Sequence, residues 1–392
     1  MTHTTRTTLT RLILASLMVL SGAMACKSEG TDKGGDKGGD KATADKPGDK
    51  AAGGGDSKDK ADGKKVGKVT CVYSFYTAWS AMAAAHDFGD FDEREGKMGK
   101  LEKEYGVDVV LRRQEYVPSF TTFYTGGADC VTITNTDAQA VAFERKNKVG
   151  DATVAVHATS YSDGADKILT DPSITAWDGL KGVPVYGAEF SVTHYLFWRG
   201  CQKNNCTYDE YTFKNLEPDK GAPLFAAKQQ DIKAFGGWSP ETFIVLDKRP
   251  DVVDLFNSNK LDKYEIVDML VFGQKTLDTD AGKAAAKVFA KALDNMKARL
   301  EGAERKKALQ AISKRFNDLE TDKIERALKL TKLFSTAEAK TVLTGPELKA
   351  NNNYVSEFSL KHDLIKAKIN VGWGTSGEKA DAVLRFDPSY LP

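Results

Sequence analysis

At four places in this sequence a short apolar or β-rich run ends where a helix begins, and that recurring joint limits the folds open to the chain. The joints lie at 76–79, 135–137, 187–193 and 236–240. The fullest is the stretch 183–198, VPVYGAEFSVTHYLFW. It reads as a buried strand from Val183 to Tyr186, a tight turn at Gly187 and a helix from about Ser191. The Ser191 hydroxyl is placed to accept a backbone N–H that the first helical turn leaves open. A strand that hands its carboxyl end to a helix N-terminus creates a polar pocket in an open α/β sheet, with free amides facing it. One such joint is ordinary packing. Four of them argue for a site.

The 392 residues can bury a large core and suggest two lobes. Lys and Arg number 56 against 55 Asp and Glu, so the charge balance points neither to nucleic acid nor to an anionic surface. The amino end is set apart from the fold. Arg6 and Arg11 precede an apolar run from Leu12 to Leu20, too short to span a bilayer comfortably, and small residues 21–25 lead to Cys26. This resembles a bacterial lipoprotein signal over 1–25, with Cys26 as the lipidated first residue; Ala23 stands where such signals prefer Leu. Ordinary cleavage after Ala25 is the plainer alternative. Residues 26–67 are mostly Gly, Asp, Lys and Ala, with Gly-Gly-Asp-Lys repeated at 34–37 and 38–41. Such a segment cannot offset its ordering entropy by burial and is expected to be a disordered tether. At ~5–6 Å × √n its reach is roughly 35 Å.

Beyond the tether, strands are expected over 69–75, 107–112, 130–134, 153–157, 251–256 and 266–272, and helices over 80–85, 93–105, 119–124 and from 138. Ser239 with Pro240 reads as an N-cap and first helical residue. After Thr279 the pattern turns to long amphipathic helices over 281–300, 305–319 and 323–333, and Ser335 to Glu338 reads as a capping box. The alternation argues for a parallel α/β sheet architecture with helices added at the end. Of the other cysteines, Cys201 and Cys206 can close a small loop, and Cys71 and Cys130 can pair if their strands are neighbours; buried free thiols are an equal reading. His86, His157, His194 and His362 are scattered and read as structural. No spacing calls for a metal, no cofactor motif occurs, and no nucleophile or phosphate-loop signature supports catalysis.

Trp79 at the first helix, Gly126 to Asp129 before a strand, and Ser191 to Leu196 resemble the substrate-binding lipoproteins of ABC importers, in the nitrate, taurine and aliphatic sulfonate branch. Within it, Tyr116 to Ser119, Thr132 to Asp137, Glu189 to Tyr195 and Trp238 to Pro240 are most similar to the urea- or guanidine-type receptors associated with urea carboxylase. The resemblance covers roughly 69–275 and is loose from 280 onward. It implies a two-lobed periplasmic-binding-protein fold of type II with a helical C-terminal elaboration. Lobe 1 is expected from 68–160 and 272–392, lobe 2 from 161–271, with crossings near 158–161 and 272–273. It further implies a membrane-anchored periplasmic receptor that binds a small molecule and works with an ABC permease and ATPase.

The expected ligand-binding residues are Trp79 and Trp238 as walls, Asn135, Ser191 and Thr193 as hydrogen-bonding groups, and Asp137 and Glu189 as acidic anchors. Two carboxylates at helix starts, with no Lys or Arg close by, favour a small neutral or cationic nitrogen compound over a sulfonate or nitrate. Other readings are an enzyme on the same fold, like the thiamine-pyrimidine synthases, whose dense cysteine motif is absent here, and a non-transport lipoprotein that keeps the clamp.

Overall fold

The computed structural model describes residues 66–374 and 381–392. The signal segment 1–25, Cys26 and the tether through residue 65 lie outside the described residues.

The first part alternates strands and helices: β1 (Gly67–Tyr73), α1 (Thr77–Ala84), α2 (Lys100–Tyr105), β2 (Val107–Arg113), α3 (Tyr116–Tyr124), β3 (Cys130–Thr134), α4 (Asn135–Val149) and β4 (Thr153–Ser162). A second set follows: β5 (Asp166–Thr170), β6 (Val185–Gly187), α5 (Val192–Lys203), β7 (Phe213–Asn215), α6 (Pro218–Ala226), β8 (Ala234–Trp238), α7 (Glu241–Lys248) and β9 (Val253–Asn257). The chain then returns through β10 (Val267–Gly273), α8 (Gln274–Leu277), α9 (Asp280–Glu301), α10 (Arg305–Arg315), α11 (Thr321–Leu330) and β11 (Thr331–Leu333). It ends with α12 (Thr336–Thr344), α13 (Pro346–Lys361), β12 (Val371–Trp373) and β13 (Leu384–Phe386).

The strands form two sheets. The larger runs β12-β13-β4-β10-β3-β1-β2, with β11 alongside β4; the smaller runs β7-β6-β8-β5-β9. This is the two-lobed α/β architecture expected from the sequence. It is mixed rather than parallel. In the larger sheet β10 lies antiparallel to both β3 and β4, and in the smaller β5 lies antiparallel to β8 and β9. The reason is topological: after a crossing β5 opens the smaller sheet and β10 re-enters the larger one between β3 and β4, each running against its neighbours. The crossings run between β4 and β5, at 163–165, and between β9 and β10, at 258–266. The second therefore precedes the expected 272–273, because Val267–Gly273 already pairs within the larger sheet.

Local chemistry accounts for the other departures. The helix expected over 93–105 shrinks to Lys100–Tyr105. Gly99 caps it with its backbone against Phe91, where a Cβ would meet the Phe91 Cα at 2.5 Å, and the buried Glu102 carboxylate takes the amides of Asp92, Gly99 and Val109. The helix expected from Ala138 starts at Asn135, directly at the end of β3. Pro240, not Ser239, occupies the N-cap of α7; the Ser239–Pro240 peptide is cis, and the buried Ser239 hydroxyl has no hydrogen-bond partner among the described residues. The Ser335 capping box forms as expected. Cys71 and Cys130 face one another in register on β1 and β3, and both they and Cys201–Cys206 are disulfide-bonded.

The helices after Thr279 complete the larger lobe. In α9 the residues Ala285, Val288, Phe289, Leu293 and Met296 recur at helical spacing on one buried face, which packs over β1, β2, α1 and α2. α10 and α11 lie against α1, α12 covers β4, and α13 packs on α4 and α5.

Candidate functional site

The two sheets face one another across a buried cavity at the ends of their strands. On the larger sheet, Asp268, the second residue of β10, lies between Thr134 of β3 and Ser160 of β4 in the strand register. On the smaller, Asp166 begins β5 opposite Trp238 at the end of β8. Directly opposed residues of antiparallel strands share a face, so these rows present their side chains together. Val267–Gly273 is otherwise continuously apolar, and a carboxylate inside such a strand is costly unless something compensates it.

An inner cavity of about 10 Å3, room for roughly one water, is lined by Phe75, Tyr76, Trp79, Tyr116, Thr134, Asp166, Val192, Trp238 and Asp268. Asp166 and Asp268 are 2% and 1% exposed. Ser162 donates its hydroxyl to Asp166, and Ser160 donates to Asp268. Ser160 and Ser162 stand two apart on β4 and so point to the same side, about 6–7 Å apart along the strand. Burial pushes the Asp166 carboxyl up to about 6, against the pull of the Ser162 hydroxyl and the Lys167 charge. Burial also holds Asp268 well above the usual carboxylate range; the Ser160 hydroxyl opposes the rise and the Asp166 charge adds to it.

The walls are aromatic. The rings of Trp79 and Tyr116 stack at 5.6 Å, and Trp238 meets Tyr116 edge-on at 5.5 Å. Tyr76 packs against Trp79 at 5.1 Å and its hydroxyl lies 3.2 Å from that of Thr331. The Trp79 indole N–H is buried with no hydrogen-bond partner among the described residues. A wider cavity of about 290 Å3 continues outward past Phe75, Tyr116 and Trp238. It carries Glu115, Glu217, Asp219 and Glu241, and Phe316, Asn317 and Leu319 from the turn between α10 and α11 close its rim. Burial, reinforced by the charges of Asp219 and Glu115, pushes Glu241 up to about 8. Among the described residues no Lys, Arg or His lines either cavity.

Of the seven residues expected at the site, Trp79 and Trp238 line the cavity. Asp137 stands one layer behind: it accepts from the Tyr116 hydroxyl at 2.6 Å and the Thr134 hydroxyl at 2.6 Å, orienting two cavity residues. Burial raises its carboxyl to about 6. Asn135 is committed to the second crossing, donating to the Glu265 carbonyl at 3.0 Å and accepting the Val267 amide at 2.8 Å. Ser191 caps α5 by accepting the Thr193 amide at 3.2 Å and donates to the Ala188 carbonyl at 2.8 Å. The Thr193 methyl wedges against Gly187 and Gly236, where any Cβ would come within 2.8 Å of it, so these two glycines admit the helix to the sheet. Glu189 is half-buried beside Phe190 and lines neither cavity; its amide is held by Asn215. Sequence reasoning did not single out Asp166 and Asp268, which the structure places on the cavity wall. The visible signal was the lone carboxylate in the apolar run 266–272.

Neither a family model nor a curated relative matches the chain by sequence. Solved structures do. The periplasmic aliphatic sulphonate binding protein SsuA from Escherichia coli superposes with a TM-score of 0.58 at 16% identity, covering 77% of this chain and 89% of that one. The periplasmic nitrate-binding protein NrtA from Synechocystis PCC 6803 gives 0.56 at 12% identity, over 78% and 83%. A Candida albicans protein described as having the generic periplasmic binding protein fold gives 0.56 at 10% identity, over 77% and 92%. The chain has the periplasmic-binding-protein fold, and its structural neighbours include ABC-type solute-binding proteins for sulfonate and nitrate. Among the described residues no helix is long and apolar enough to cross a membrane.

Proposed function

We propose that this chain is the solute-binding receptor of an ABC importer, anchored through Cys26 at the periplasmic or outer face of a bacterial membrane. It captures a small, polar, nitrogen-containing ligand between its two sheets and delivers it to a permease and its ATPase. One observation carries the ligand class: two buried carboxylates, one from each sheet, face a single aromatic-walled cavity that no cationic side chain lines. A ligand with N–H donors on opposite edges satisfies Asp166 and Asp268 at once, with each charged hydrogen bond worth roughly 1.5–3 kcal/mol. A sulfonate or nitrate would meet like charge in a desolvated cleft. Trp79 and Trp238 supply flat walls for a planar group.

The two crossings at 163–165 and 258–266 serve as the hinge, and the cavity of about 10 Å3 must widen to admit a ligand. Thermal-shift measurements on the full chain against urea, guanidine, simple amides, taurine and other sulfonates, and nitrate test this reading. Stabilisation is expected from donor-rich nitrogen compounds, with a smaller radius of gyration in solution scattering at saturation. Stabilisation by sulfonate or nitrate alone would refute the ligand class.

A further inference from the structure

The Asp166–Asp268 pair has a consequence for the form in which a ligand is taken up. Each carboxylate belongs to a different sheet, each is almost wholly buried, and each receives a serine hydroxyl from alternate positions of one strand. Among the described residues Asp166 has no hydrogen-bond donor beyond Ser162, which leaves one of its oxygens for a ligand. Lys167, whose charge pulls on Asp166, is tied to Asp254 at 2.6 Å. Tyr76 and Tyr116 face the pair as neutral phenols, their ionisation suppressed by burial, and Asp137 adds negative charge from one layer behind. Outside, Glu115, Glu217 and Asp219 make the approach acidic. Among the described residues no cationic side chain lines the cavity to neutralise both aspartates. An empty site holding two bare carboxylates in a desolvated space would repel itself, as paired carboxylates do elsewhere.

Resting on the receptor reading above, we propose that the empty site keeps one proton on the Asp166–Asp268 pair and that the ligand enters as a small planar cation, displacing that proton to solvent. The balance is simple. The pair with one proton carries a net charge of −1; two carboxylates with a bound monocation carry the same. A neutral ligand leaves the proton in place. The site therefore distinguishes a protonated nitrogen base, of the amidinium or guanidinium type, from its neutral amide counterpart by pH as well as by shape.

Calorimetry on the full chain with acetamidinium and acetamide, near-isosteres that differ in charge, tests this. Titrations at pH 5, 6, 7 and 8 are run in two buffers of different ionisation enthalpy. Acetamidinium is expected to release more than one proton per molecule bound at pH 5, where Asp166 is protonated as well, and close to one near pH 7. Its affinity should rise by about tenfold or more per pH unit at the acid end and level off once the pair no longer holds the proton. Acetamide should release none, and its affinity should not rise with pH. Asp166→Asn, checked for folding by its melting curve, should bind acetamidinium at least tenfold more weakly and release fewer protons than wild type at pH 5. Acetamidinium binding that is independent of pH and of buffer overturns the proposal, and so does binding of acetamide alone; in either case the receptor reading survives. If no compound of the wider panel stabilises the protein, the receptor reading itself fails.

Discussion

Replacing Asp166 by Asn should make the protein more stable and the receptor worse. The carboxyl at this position is buried on β5, and burial raises it from 3.8 to about 6. The folded chain therefore holds a proton up to about pH 6 that the unfolded chain gives up near 3.9. Across that interval the native state binds more protons than the unfolded one, so stability falls as pH rises from about 4 to 6 and stays reduced at neutral pH. About two pH units at 1.36 kcal/mol each amount to roughly 3 kcal/mol. Asn keeps an oxygen to accept the Ser162 hydroxyl but cannot ionise, so most of this penalty should vanish. With ~2.1 cal/mol/K of unfolding entropy per residue across the folded part, ~3 kcal/mol is a rise in Tm of ~4 °C at pH 7. At pH 4, where Asp166 is already protonated, the two proteins should melt close together. Melting curves of wild type and variant at pH 4, 5, 6 and 7 provide the assay, with ligand titrations alongside. A variant less stable than wild type at pH 7, or a gap that does not grow between pH 4 and 6, would refute the reasoning about the buried charge.

Three further outcomes are expected. Asn135→Ala should destabilise the protein by about 2–4 kcal/mol in denaturant titrations, since it strands the buried Val267 amide and Glu265 carbonyl at the second crossing; a loss under about 0.5 kcal/mol would mean that the crossing does not depend on it. Glu189→Gln should leave affinity for a donor-rich ligand within about twofold, because Glu189 lines neither cavity; a tenfold loss by calorimetry would restore it to the site. Cys26→Ser should move the protein from the detergent to the aqueous phase of a detergent extraction, and wild-type protein already in the aqueous phase would rule out the anchor.

Much of the fold was legible in the chain because strand and helix signals are local. The strand 130–134, the Ser191 cap and the Ser335 capping box depend on residues a few positions apart, and each forms where its pattern places it. The tryptophans were legible too, as large aromatics at strand–helix joints that end beside the cavity. What the sequence could not settle was which polar groups at those joints face the ligand. Asn135 and Asp137 sit at a helix start, yet one is consumed by a strand 132 positions away and the other by Tyr116. The pairing of Asp166 with Asp268 arises only because two crossings bring the amino ends of β5 and β10 to the same place. Their raised carboxyls follow from the desolvation that this placement imposes, a property of the surrounding packing that no local pattern of residues contains.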